Sequence, residues 1–148
     1  MTNVIAPVHK TLQLACTPER AFEVFTSELA TWWPLETHGV FKADADSVVF
    51  EPRAGGRIVE TSKDGTENVW ATVSVWDPPN RIVFSWAPDV DKAVETEVEV
   101  RIAPDGDATR FELIHRGWER WAEQAQAFRS GYDSGWVGVL AKFEEAVR

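Results

Sequence analysis

The sequence predicts an α+β domain: an antiparallel sheet of seven strands, two short helices after the first strand, and one long C-terminal helix, with the helices segregated onto one sheet face. Three observations carry this expectation. Apolar and polar residues alternate in segments separated by evenly spaced turns. A Thr17-Pro18-Glu19 helix start follows the first of those segments. The C-terminal segment switches to apolar steps of three and four.

Val8, Lys10, Leu12, Leu14 and Cys16 alternate with His9, Thr11, Gln13 and Ala15, so the first strand turns its Leu12/Leu14/Cys16 side to a core. Thr17 then offers a hydroxyl to an orphan N–H, Pro18 stands where no N–H is needed, and Glu19 meets the positive helix end. Phe22, Phe25 and Leu29 continue at helical spacing until Trp32-Trp33-Pro34, where proline disfavours helix in the residue before it. Short strands are expected at Val48–Glu51 and Arg57–Ser62, joined by Pro52-Arg53-Ala54-Gly55-Gly56. Val69–Trp76 and Arg81–Trp86 follow, with Asp77-Pro78-Pro79-Asn80 as the corner between them.

Val94 to Ile102 is the clearest alternation in the chain, and its Glu95/Glu97/Glu99 row reads as a solvated face that resists edge pairing. Pro104-Asp105-Gly106-Asp107 turns into Thr109–His115. Trp121, Ala125, Phe128, Tyr132, Trp136, Leu140, Phe143 and Val147 then mark one long amphipathic helix. Gly131, Gly135 and Gly138 lie inside it, each costing about 1 kcal/mol relative to Ala. Such a row marks either close packing or room left for a ligand.

The 148 residues suit one domain spanning 1–148, long enough to bury a core without a disulfide or metal. Hydrophobic residues at 44% and charged residues at 26% exclude a disordered chain. Eight Trp and eight Phe against one Tyr and one Met supply more ring surface than an aliphatic core needs. Fifteen basic against 24 acidic side chains leave a net charge of -9, which argues against nucleic acid or an anionic membrane as partner. Cys16 is the single cysteine, and His9, His38 and His115 lack metal-ligand spacing, so no metal or cofactor is expected. The start Met1-Thr2-Asn3-Val4-Ile5-Ala6-Pro7 has no basic, apolar leader pattern, and no run reaches the roughly 20 apolar residues of a membrane helix. The expectation is a cytoplasmic monomer or homodimer.

Six motifs fall in a recognisable order: Thr17-Pro18-Glu19-Arg20-Ala21-Phe22, Trp32-Trp33-Pro34, Gly55-Gly56-Arg57, Trp76 through Trp86, Thr109 through Trp118, and Gly135-Trp136-Val137-Gly138-Val139-Leu140. In that order they resemble the SRPBCC/START-like superfamily, in the branch named for the C-terminal domain of the activator of heat-shock-protein-90 ATPase. The resemblance covers nearly the whole chain. It implies a helix-grip fold, a curved antiparallel sheet around a long C-terminal helix, with a cavity between them. It also implies three kinds of function: a binder of an apolar or aromatic small molecule, a polyketide-cyclase or hydrolase-like enzyme, or a co-chaperone-like interaction module.

For the first of these, the expected pocket residues are Trp32, Trp33, Phe41, Trp70, Trp86, Phe128, Tyr132 and Trp136, with His115 as a polar contact. Any single Trp also reads as core. Trp70 and Trp76 share strand parity, which leaves open whether both face the cavity. His115 shares parity with Phe111 and Leu113 and points inward, either to a ligand or into a satisfied core. His38 lies in a loop near the expected cavity mouth. No Gly-x-Ser-x-Gly elbow or phosphate-binding glycine loop is present, and no catalytic residue is assigned. A Glu60–His115 acid–base pair is conceivable if the sheet brings the two together.

Overall fold

The computed structural model describes residues 5–88 and 94–148; the start of the chain at 1–4, read above for a leader, lies outside them. The chain runs β1 (Val8–Leu14), α1 (Pro18–Phe25), α2 (Leu29–Trp32), α3 (Leu35–His38), β2 (Ala45–Phe50), β3 (Arg57–Ser62), β4 (Glu67–Asp77), β5 (Arg81–Trp86), β6 (Thr96–Asp105), β7 (Ala108–Arg116) and α4 (Ala125–Ala146). The strands form one antiparallel sheet in the order β1-β7-β6-β5-β4-β3-β2. The sheet curves around α4, giving the α+β helix-grip fold that the sequence implies.

Local chemistry sets the helical entry. The Thr17 hydroxyl accepts from the Arg20 N–H at 3.2 Å and caps α1. Thr26 ends it by donating its hydroxyl to Phe22 O at 2.7 Å. The connection breaks into three short helices where the sequence suggests two, because Pro34 separates α2 from α3. Trp32 folds back and donates its indole N–H to Val24 O at 2.8 Å, tying α2 to α1.

Trp70 and Trp76 do share a face, for a reason that simple parity does not contain. The register of β4 shifts twice, opposite Ile58/Val59 and between Val73 and Val75. Each shift moves the alternation by one residue, so two shifts restore it. Both indoles consequently reach the concave side, Trp70 against Trp33 and Trp86, and Trp76 against Phe22 and Phe50.

Two expectations are corrected. Glu99 is not on a solvated edge face: β6 is an interior strand between β5 and β7, and Glu99 is only 2% exposed. Arg81 and Arg101 donate to its Oε2 at 2.6 and 2.9 Å, and Arg116 to its Oε1 at 2.5 Å. Burial alone would raise its pKa, but the three guanidinium hydrogen bonds overcome that and hold the carboxyl at about 2. Second, the C-terminal helix does not begin at Trp121. Trp118–Gln124 is 3-10 helix, and Ala122, at φ 52°, kinks the chain before α4 starts. Trp121 leaves the helical row and stacks on Phe128, with ring centroids 3.9 Å apart.

Candidate functional site

The site begins with a buried carboxylate. Glu60 on β3 is 0% exposed. Its Oε1 accepts from Val40 N at 2.8 Å and Trp70 Nε1 at 3.0 Å, and its Oε2 accepts from Phe41 N at 3.0 Å. Three N–H donors satisfy the group without a cation. They also fasten the segment after α3 to the sheet. Gly39 permits that approach, since a Cβ there would lie 2.6 Å from Leu35 O and 2.7 Å from Glu60 Oε2.

The fastened segment is one wall of an open pocket of about 610 Å³. Trp33, Thr37, His38, Val40 and Lys42 line this side, and Trp86 with Pro88 lines the end of β5. Phe128, Gly131, Tyr132, Gly135 and Trp136 of α4 form the opposite wall. A Cβ placed on Gly131 or Gly135 would meet nothing within 4 Å. Phe128, Tyr132 and Trp136 stand one turn apart along α4, so the two glycines leave the space between the rings open.

Of the residues expected at the pocket, Trp33, Trp86, Phe128, Tyr132 and Trp136 stand in its wall. Trp32, Phe41, Trp70 and His115 stand outside it. Trp32 packs on Phe25 and Phe143 and edges Trp33. Trp70 lies behind Trp33 and Trp86, holding Glu60. Phe41 supplies its backbone N–H to Glu60.

His115 is 0% exposed and fully bonded, to Trp136 Nε1 through Nδ1 at 3.0 Å and to Thr96 Oγ1 through Nε2 at 2.7 Å. Burial pushes its pKa down to about 3, so the ring is neutral. Glu60 and His115 make no acid–base pair; each has other partners. The sequence reading placed the loop of Thr37 and His38 near the cavity mouth but missed Val40, Lys42 and Pro88 in the wall.

Trp33 is the hub. Its ring meets Trp32, Trp70, Trp86 and Trp136, and its N–H reaches His38 O at 3.3 Å. His38 Nδ1 lies 2.8 Å from Thr37 Oγ1. Among the described residues no cluster of His, Cys, Asp and Glu is placed to hold a metal ion. No helix among them is long and apolar enough to cross a membrane.

The sequence profile of the family described as Activator of Hsp90 ATPase homolog 1-like protein matches residues 15–148. The chain belongs to that family. Among solved structures, an anthrahydroquino-Gama-pyrone synthase, Txn09, complexed with the ligand denoted SUM, is similar at 37% identity. The match covers 100% of both chains with a TM-score of 0.65. CalC from Micromonospora echinospora, described as a self-sacrificing resistance protein, is 25% identical over 98% of this chain and 96% of its own, with a TM-score of 0.73. The Aha1 dimer from Colwellia psychrerythraea is 15% identical over 97% and 96%, with a TM-score of 0.68, and shares the fold. No curated protein sequence matches the chain. Structures similar to this chain thus bear different names on one fold, so function is argued from the pocket.

Proposed function

We propose that this protein binds a flat aromatic small molecule in the pocket between α4, the segment after α3 and the end of β5. The observation that carries the reading is the pair Gly131 and Gly135, which keep the wall open between the rings of α4. A helix pays stability for each glycine, and room for a guest accounts for that cost here. The volume lies in the range of ligand pockets, and ring faces with a few polar groups suit a planar guest. The 37% identical synthase, named for a fused-ring product, supports the same class of ligand. Trp33, Trp86, Phe128, Tyr132 and Trp136 would touch the guest, while Trp32, Phe41, Trp70 and His115 would act by holding them.

The test is titration of anthraquinone into the full chain, following tryptophan emission. Saturable quenching at one guest per chain is expected. Linear, unsaturable quenching would defeat the reading.

A second reading is a cyclase-type enzyme using the same pocket, favoured by the synthase relative and by the Thr37–His38 pair in the wall. It requires that a His38→Gln variant keep binding and lose turnover of a ring-closing substrate. An outer-surface interaction module has less support. The large exposed hydrophobics among the described residues, Val49 and Val137, lie on separate elements, not in a patch. The reading takes the protein as a cytoplasmic monomer or homodimer that binds its guest without a cofactor.

A further inference from the structure

Resting on the small-molecule reading above, we infer that the guest is a planar aromatic acid whose anionic oxygen group pairs with Lys42 at the pocket rim, beside Thr37 and His38. The charge of the wall is the first reason. The chain carries 24 Asp and Glu and a net charge of -9, yet among the described residues the pocket wall holds no carboxylate side chain, and Lys42 is its one Lys or Arg. Among the described residues, the one charged side chain of the wall is thus opposite in sign to the net charge of the molecule.

The second reason is what Lys42 does otherwise. Among the described residues its ammonium makes no ion pair and no hydrogen bond. Lys42 is solvent-exposed, but its backbone is not relaxed. It sits at φ 49°, a region that L side chains rarely adopt. Two anchors hold it there. On one side Glu60 pins the Val40 and Phe41 N–H groups. On the other, Asp44 O accepts from Lys63 N at 2.8 Å. Strained residues held by their surroundings concentrate at ligand clamps.

The third reason is the division of the wall. Thr37, His38 and Lys42 are on the segment around α3, and the rings of Trp86, Phe128 and Trp136 stand elsewhere in the wall. A ligand with an apolar fused-ring body and one charged edge matches that division.

Anthraquinone-2-carboxylate and its methyl ester share the ring body and differ in charge. Each is titrated by calorimetry into the full-length wild type, Lys42→Met and Lys42→Arg, with near-UV circular dichroism confirming the fold of each variant. We expect the wild type to bind the acid about tenfold more tightly than the ester. Lys42→Met should bind the two equally, Lys42→Arg should keep the preference, and added salt should shrink it. Equal binding of acid and ester by the wild type overturns the inference and leaves the pocket reading standing. A preference that survives in Lys42→Met also overturns it. Binding of neither probe removes both.

Discussion

The Trp136 indole donates its N–H to Nδ1 of His115 at 3.0 Å, and this bond sets the tautomer of the buried histidine. An accepting Nδ1 leaves the proton on Nε2, which donates to Thr96 Oγ1 at 2.7 Å. The Thr96 hydroxyl in turn donates to Trp86 O at 3.2 Å. The relay runs from α4 through β7 and β6 to β5, and its two ends, Trp136 and Trp86, are both pocket walls. A protonated imidazole would break it, since Nδ1–H would then face the Trp136 N–H.

That relay predicts a pH dependence of stability. Burial holds the His115 pKa near 3, against an ordinary value of 6.5. Between those values the unfolded chain binds a proton that the folded chain refuses. The stabilisation is therefore full above 6.5 and is lost as pH falls toward 3, at up to about 1.4 kcal/mol per unit. Urea midpoints should fall between about pH 7 and pH 5, above the range where carboxylates titrate. In His115→Gln the midpoint should be lower near neutral pH and nearly flat across that window. An equally steep fall in the variant would remove His115 as the cause.

Glu99 governs a lower window. Its carboxyl stands at about 2 in the folded chain against an ordinary 4.5, so its contribution is present above 4.5 and disappears as pH falls toward 2. Glu99→Gln should cost roughly 1.5–3 kcal/mol near neutral pH, the usual worth of a charged hydrogen-bond partner. The gap between variant and wild type in denaturant midpoint should close by about pH 2. A gap that persists unchanged into acid would mean that packing, not the three arginines, sets the loss.

Why Glu99 was misread and the fold was not comes down to what alternation records. Period-two patterning reports which residues share a face, and with turn spacing it was enough for the seven strands, as apolar steps of three and four were for the long helix. It says nothing about which strand becomes an edge, so the Glu95/Glu97/Glu99 row looked solvated until β6 fell between β5 and β7. The paired bulges of β4 are silent in the same way, because two shifts cancel in the sequence pattern. At the pocket, large rings were legible as inward-facing, but not as wall or backing. Trp33 stands in the wall and Trp70 behind it, with ring centroids 5.2 Å apart. Lys42 was invisible, since its place depends on Glu60 of β3 fastening the neighbouring Val40 and Phe41.

Glu60 itself offers a direct test. Its two oxygens accept three N–H groups, and in Glu60→Gln one oxygen becomes an NH₂ that faces a donor. A cost of about 1–3 kcal/mol is expected for the group left unsatisfied. The loss should be local first. Amide exchange at Val40 and Phe41 should speed up before exchange in β6 and β7 changes. Uniform acceleration across the sheet would make Glu60 a general core residue, with no particular hold on the pocket wall.

The glycines of α4 separate stability from room. Gly131, Gly135 and Gly138 all show open space where a Cβ would stand, but only Gly131 and Gly135 line the pocket. Alanine at each of the three should stabilise the helix by up to about 1 kcal/mol, read as a rise in thermal midpoint. Leucine divides them. Gly135→Leu should fill the pocket and lower affinity for anthraquinone at least tenfold, while Gly138→Leu, one turn along and outside the wall, should leave affinity unchanged. Both leucine variants should remain folded, because neither side chain starts in occupied space. Equal affinity in the two would place the guest elsewhere on the molecule and dissociate the glycine row from binding.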